Sequence, residues 1–518
     1  MSLTAATPQH AAGAPISLGD ISGALSSRWI AAALTIGAVA SQAFSHQNGD
    51  NSWLFTVAEK TLDGATPYVD FIESNPPVAY LMYAPAVWVA RLAHIPVEPA
   101  AVASILLLAC LSLWLTARVL LRAGLVSKSE SGFLLNAGVF ALVFLPGFSF
   151  AEREHNACLL VMPALALYVA RCESAKLALG DAIAAGLMAG VALAIKPYYA
   201  LALAAPLLFL LAHRRSLAPV LAPEQLTIAA AVAANVVALA VFTPAYFDIA
   251  PATFDVYLPM REPLSDLLRE VWFMLNAGLL AALGLTFGRA CRAPKIAVPA
   301  LASLGFMGTF LIQGKGWVNH GLPGVELAFL AVAAAIAPVL YGEPDGLAER
   351  WLKVRRAVMF VFAPLMVGAP ILFGVFLGAT GFEEYKGLTA AVLRAAPAHP
   401  KIIAISPRLD VGHPLTRRVG GEWVGRPNAL WLMMFSQMFL DANWGDAAKK
   451  ERLRSYVARD ARGFREDVEK NHPDIVLVVE KDKRVEAAMR NSDIAVAMGG
   501  YALAESADGI GVWTRKPR

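Results

Sequence analysis

Charge is scarce in this chain of 518 residues: only 16% are Asp, Glu, Lys or Arg, while 57% are hydrophobic. Soluble domains carry about 25% charged residues, so the deficit excludes an ordinary water-soluble globule and points to a polytopic membrane protein. Surplus positive charge is also missing. A net charge of +4 is too small to argue for nucleic acid as a partner. Cysteine is rare. Cys110, Cys158, Cys172 and Cys291 are scattered without CxxC spacing, and none lies beyond residue 380. That excludes a cysteine-rich metal site and a disulfide framework in the tail, and leaves the four as small apolar fillers. A cleavable signal is absent too. Residues 1–25 are polar and rich in Ala, Gly, Ser and Pro, and the first apolar run starts near Trp29. No internal repeat of fixed period is visible.

What the chain has instead is a series of apolar runs long enough to cross a bilayer, allowing for tilt. They fall near 29–44, 98–118, 132–150, 156–171, 180–195, 197–212, 224–247, 266–288, 296–313, 322–340 and 356–379. A twelfth run, 77–95, is interrupted by Pro77 and Pro85. Basic residues concentrate on the cytoplasmic side of membrane proteins. If 77–95 lies along the outer interface, the inner segments hold 15 basic residues and the outer loops six: Lys60, Arg91, Arg153, Lys196, Arg261 and Lys315. If it spans, the bias inverts. The expectation is therefore eleven spans. A cytoplasmic tail covers 1–28 and a transmembrane domain 29–379, which includes an outer loop 45–97 with a juxtamembrane helix at 77–95.

From 380 to 518 the composition changes. Charged residues become common, "IIAISP" and "PDIVLVVE" read as strands, and 446–469 has helical periodicity. A small α/β domain outside the membrane is expected there.

The unusual polar segments gather on the outer side in this topology: 45–97, "FAEREHN" (150–156), "IKPYY" (195–199), "DVYLPMREPLSD" (255–266) and "IQGKGWVNHG" (312–321). Clustered carboxylates beside membrane ends favour an active or binding site on that face. Asp50 follows the first span and is a candidate general base. Alternatively it caps the helix that begins "NSWLFTVAEKTL".

Asp50, fourteen residues before Gly64, is followed by "GATPYVDF" and "NPPVAYLMYAP". This pattern resembles the first outer loop of the GT-C glycosyltransferases, in the branch that contains aminoarabinose transferase and protein O-mannosyltransferase relatives. "EREHN" looks like that family's second acidic motif, "GLMAGVALAIKPYYAL" like its Gly-rich helix ending in Lys, and "QGKGWVNHGLPG" like its Lys-Gly-Trp…His loop. The similarity runs in order from residue 29 to about 340. One departure stands out: Asn75 occupies the place of the Lys in the Lys-Pro-Pro form. The resemblance implies a mainly α transmembrane bundle of GT-C type, and transfer of a sugar from a polyprenyl-phosphate donor to a lipid, glycan or protein acceptor. The site would lie on the outer face of a bacterial cytoplasmic (inner) membrane, with inversion at the anomeric carbon.

The residues suit that reaction. An inverting transfer needs a base for the acceptor hydroxyl and stabilisation of the departing phosphate. Asp50 is the candidate base. Glu152 and Glu154, with adjacent His155, are read as lying in a tight loop between spans. They could orient the acceptor or help to bind a divalent cation such as Mg or Mn, although no complete ligand set can be read; pairing of both glutamates with Arg153 is the alternative. Lys196, Arg261, Lys315, Trp317 and His320 are candidates for donor phosphate and sugar. Lys196 could instead snorkel, and Trp317 could belong to the interfacial aromatic belt. Arg417, Arg418, Trp423, Arg426 and Trp431 could cover the acceptor or simply pack the tail. Two rival functions remain, a lipid-linked-sugar flippase-like handler and a secondary transporter.

Overall fold

The computed structural model describes residues 25–44, 48–341 and 385–517. The run 356–379 and most of the tail 1–28 lie outside the described residues. The protein is a mainly helical transmembrane bundle with a small α/β domain at its C-terminus. Six of its described helices are long and apolar enough to cross a membrane: α3 (Val97–Arg122), α5 (Arg153–Cys172), α8 (Pro223–Phe242), α9 (Val271–Phe287, continuing as a tight turn to Arg292), α10 (Pro294–Gln313) and α11 (Val318–Tyr341). Shorter helices complete the bundle: α1 (Arg28–Phe44), α4 (Lys128–Val139), α6 (Leu179–Ile195) and α7 (Ala200–Arg214). Helices suit this sequence because they satisfy their own backbone polar groups where water is absent.

Charge sorts the two ends of the bundle. At one end, ion pairs join neighbouring helices: Arg118 and Arg122 to Asp181, Arg171 to Glu224, and Lys295 to Glu130. The other end gathers residues 48–50, 150–155, 196–199, 257–261 and 313–320. Between the ends, small residues let backbones approach. A Cβ on Gly305 of α10 would lie 2.3 Å from the Leu201 carbonyl of α7, and one on Gly186 of α6 would lie 2.6 Å from the Glu224 carbonyl of α8. The Ser303 hydroxyl links three helices, accepting from Asn276 Nδ2 at 2.6 Å and donating to the Gly324 carbonyl at 2.7 Å.

The run 77–95 forms two short helices, Val78–Leu81 and Ala84–Ala93, rather than one continuous helix. Pro85 starts the second, and His94, in the left-handed region, ends it. Both pack against α2 (Gly49–Leu62).

The C-terminal domain is a five-stranded sheet of order β2-β1-β3-β5-β4, with β1 (Lys401–Ile405), β2 (Glu422–Trp423), β3 (Ile475–Val479), β4 (Tyr501–Ala507) and β5 (Ile510–Arg515). β1 and β3, the two strands expected from sequence, pair in parallel. Strand alternation sends their side chains to opposite faces. Ile402, Ala404, Ile475 and Leu477 pack into one core with Trp53, Phe55, Phe71 and Tyr80 of the 49–97 region. Ile403, Ile405, Val476 and Val478 pack against α12 (Ala447–Asn471) and its neighbours. The first loop and the C-terminal sheet therefore share a core. Arg452 of α12 adds a second attachment, donating to both oxygens of Asp255 at 2.7 and 2.8 Å, and Tyr456 OH donates to the same carboxylate at 2.9 Å.

The close approach at Gly305 gives a test. Gly305→Val should force α7 and α10 apart at a cost of about 1–3 kcal/mol from overpacking. A lower melting temperature of the detergent-solubilised protein is expected, while the exposed Gly284→Ala, which meets nothing within 4 Å, should leave it unchanged.

Candidate active site

The site is built where α2 and α5 begin and where α6 and α10 end. At the first of these, Asn48 is the N-cap and its side chain accepts from the Asp50 backbone N–H at 2.7 Å. The cap is thus Asn48, and the Asp50 carboxylate is left for other partners. Arg153 Nη2 donates to Asp50 Oδ2 at 2.9 Å, and Arg153 Nη1 lies 3.8 Å from Glu73 Oε1. Arg153 thereby ties α2 to α5 rather than pairing with its sequence neighbours Glu152 and Glu154.

"EREHN" is not a loop between spans. Glu152 is the N-cap of α5, and Arg153, Glu154 and His155 form its first turn, all buried. Asn48 Nδ2 donates to Glu152 Oε1. Burial pushes the Glu152 carboxyl well above the usual carboxylate range, and the negative charges of Asp50 and Glu154 push it the same way. Glu154 takes a different set of partners. Lys196 Nζ, at the end of α6, donates to its Oε1 at 2.5 Å; Asn319 Nδ2 donates to Oε2 at 3.4 Å; and His320 Nε2 lies 3.6 Å away. Lys196 also reaches Gln313 Oε1 at 3.3 Å, which accepts from Tyr198 OH at 2.8 Å. Lys196 is therefore an internal cation facing Glu154, not a snorkelling one.

His155 stands apart from these groups. One ring nitrogen meets the Leu142 carbonyl at 2.8 Å and the other accepts from the Ala151 N–H at 3.2 Å, so neither is left for an acceptor or metal. Among the described residues, no three His, Cys, Asp or Glu side chains gather as a metal site. The Asp50 and Glu154 carboxylates are already paired with Arg153 and Lys196 and are not free to hold a divalent cation.

The 312–321 segment supplies cations. Gly314 and Gly316, both with positive φ, turn the chain after α10. Lys315 Nζ donates to the Tyr257 and Met260 carbonyls and sits 4.1 Å from the Tyr257 ring centre. Burial, reinforced by the charge of Arg261, lowers the Lys315 pKa to about 8. Arg261 packs on Gly314 and donates to the Leu311 carbonyl at 3.0 Å. Trp317 is half exposed, with its ring 5.2 Å from that of His320.

Sequence reasoning missed Asn48, Gln313, Asn319 and Glu73. Glu73 is buried. It accepts from Trp53 Nε1 at 2.6 Å and from the Asn75 N–H at 2.9 Å. Asn75, the departure from the Lys-Pro-Pro form, is engaged in holding Glu73. In the tail, Arg417 pairs with Glu59 and lies 3.7 Å from Glu98, Arg426 pairs with Glu466 and Asp467, and Trp423 Nε1 donates to the Pro427 carbonyl. These three pack the tail. Trp431 instead lines a small pocket with Ser74, Asn428, Arg459 and Asp460.

No family profile and no curated protein matches the sequence. Among solved structures, the chain is similar to ArnT from Cupriavidus metallidurans bound to undecaprenyl phosphate, with a TM-score of 0.58 at 13% identity over 95% of this chain and 99% of ArnT. The apo form of the same protein gives a TM-score of 0.55 at 12% identity with the same coverage. The fold is therefore ArnT-like. Asp50, Glu152, Glu154, Lys196 and Lys315 lie together at one end of this bundle.

Removing one member of a buried ion pair leaves the other uncompensated, at a cost of about 3–5 kcal/mol. Glu154→Gln should therefore lower the melting temperature sharply. The double variant Glu154→Gln, Lys196→Met should recover part of the loss, and simple additivity of the two single effects would exclude direct coupling.

Proposed function

We propose that this protein is a glycosyltransferase that moves a sugar from a polyprenyl-phosphate donor to a lipid, glycan or protein acceptor, with Asp50 as general base. The observation that carries the reading is the difference in access within one acidic cluster. The Asp50 side chain is 18% exposed, whereas those of Glu73 and Glu154 are 2% and 1% exposed. Asp50 alone of these can meet an incoming hydroxyl. Its carboxylate takes the acceptor proton as the acceptor oxygen attacks the anomeric carbon. The bond from that carbon to the phosphate oxygen breaks, and its electron pair leaves on the phosphate with inversion at carbon. Arg153 orients Asp50 through its hydrogen bond of 2.9 Å. Lys315 and Arg261, two like charges held close together, are poised for an anion between them. Buried donors without partners among the described residues supplement them: Arg153 Nε and Gln313 Nε2. These cations supply what Asn75 cannot. Undecaprenyl phosphate bound to ArnT supports the lipid class of the donor. The distribution of basic residues favours the outer face of the cytoplasmic membrane for this end of the bundle.

Asp50→Asn should reduce transfer by about 100- to 10,000-fold, the range for loss of a general base, while donor-lipid binding survives. Transfer at the normal rate would exclude this mechanism, and would leave a lipid-handling role for the cation cluster.

The Lys315 reading has its own pH signature. An anion favours the charged ammonium and so raises its pKa in the complex. Affinity for a soluble short-chain prenyl phosphate should therefore be highest between the second phosphate ionisation, near about pH 6, and about pH 8. Above that it should fall by up to about tenfold per pH unit. Lys315→Arg, whose charge does not titrate in this range, should abolish the alkaline fall in a calorimetric titration.

A further inference from the structure

A groove of about 110 Å³ opens at the end of the bundle away from the acidic cluster, between α3, α4, α5, α10 and α11. Its wall is almost wholly apolar, with Leu113, Leu120, Leu134, Leu165 and Val169 along it. The polar features are few. Thr116 contributes a buried hydroxyl without a hydrogen-bond partner among the described residues. Lys295 stands in the lining at the first turn of α10, with its side chain 30% exposed and its ammonium 3.8 Å from Glu130 Oε1. The other Glu130 oxygen accepts from the Ser127 N–H at 2.8 Å and closes the capping box of α4. That carboxylate is thus engaged in the helix cap and holds Lys295 only at long range. An apolar slot with one loosely held cation in its lining matches a lipid chain carrying an anionic headgroup.

We propose that this groove is a binding site for one anionic glycerophospholipid, with an acyl chain in the slot and its phosphate on Lys295. The site lies at the opposite end from Asp50 and Lys315, so the reacting head of the donor is not its occupant. The groove suits part of one acyl chain, not a whole lipid tail. The charge in the lining selects the anionic headgroup. The assignment does not depend on the catalytic reading.

The test is native mass spectrometry of the full-length protein in detergent, followed by titration with phosphatidylglycerol and with phosphatidylcholine. One phosphatidylglycerol per chain is expected to be retained, with phosphatidylcholine, whose choline ammonium repels Lys295 and offsets the phosphate charge, held about tenfold more weakly. Lys295→Ala should remove that preference, and Ala117→Phe, which fills the slot, should remove the lipid itself. Neither change touches the acidic cluster. Should Ala117→Phe fail to fold, Lys295→Ala and the headgroup comparison still decide. Equal retention of both lipids by the wild type and by Lys295→Ala would overturn the proposal. So would loss of the bound lipid on adding a short-chain prenyl phosphate, since the groove would then belong to the donor. An absence of any retained lipid and of any titration response would overturn it as well.

Discussion

A carboxylate removed from water must be given partners, and three consecutive residues at the start of α5 impose that demand on the bundle. Glu152, Arg153 and Glu154 are all buried. Desolvating an unpaired charge costs several kcal/mol per ion, so neighbouring elements have to bring opposite charge or hydrogen-bond donors to this point. Glu154 draws in Lys196 from the end of α6 and Asn319 and His320 from the start of α11. Glu152 draws in Asn48, and Arg153 draws in Asp50 and Glu73. Five segments distant in sequence converge because one turn of helix cannot be solvated.

The same demand explains why the C-terminal domain bears on the site without supplying its central groups. Asp50 is held by α2, and α2 is buried from one side by the sheet face of that domain. His413 is enclosed between the Trp53 and Trp423 rings, at centroid distances of 5.3 and 4.7 Å. A Cβ on Gly49 would lie 2.8 Å from the His413 carbonyl. Trp53 in turn donates to Glu73, which lies against Arg153. The chain of contacts from tail to Asp50 is thus packing on one side and hydrogen bonding on the other. A shift of the sheet cannot leave the acid–guanidinium geometry unchanged.

Much of this architecture was legible in the sequence. Apolar runs mark the helices because backbone burial in lipid admits little else, and the strands 401–405 and 475–479 carry the apolar composition of a sheet covered on both faces. The hairpin 501–515 was not read, because "YALAESADGIGVW" alternates weakly on a face open to water. Within the site, Asp50 and "EREHN" were visible as carboxylates at span ends, and Lys196 and Lys315 as cations in a bundle that has few. Glu73, Asn48 and Gln313 were not. Each matters through a partner more than 70 residues away or through a turn, and local pattern does not encode such a contact. The position of Glu154 within a helix, rather than in a loop, was hidden for a related reason. A helix that starts inside the protein has no need of an apolar first turn.

The placement of charge also bears on the rival transport reading. A secondary transporter concentrates its charged groups at the midplane, on broken helices, where they can be exposed to each side in turn. Here the charges sit at the two ends, with different chemistry at each. One end holds inter-helix pairs of Arg with Asp or Glu, such as Arg171 with Glu224. The other mixes carboxylates of unequal burial with cations that repel one another. Glu326 in α11 is the exception, fully buried with neither oxygen hydrogen-bonded among the described residues. A single acid without a facing cation does not make a relay, since a relay needs a second group to hand the charge on. Unequal access among adjacent carboxylates, beside the Lys315 and Arg261 cations held by backbone carbonyls, is instead the arrangement that the proposed sugar transfer would use.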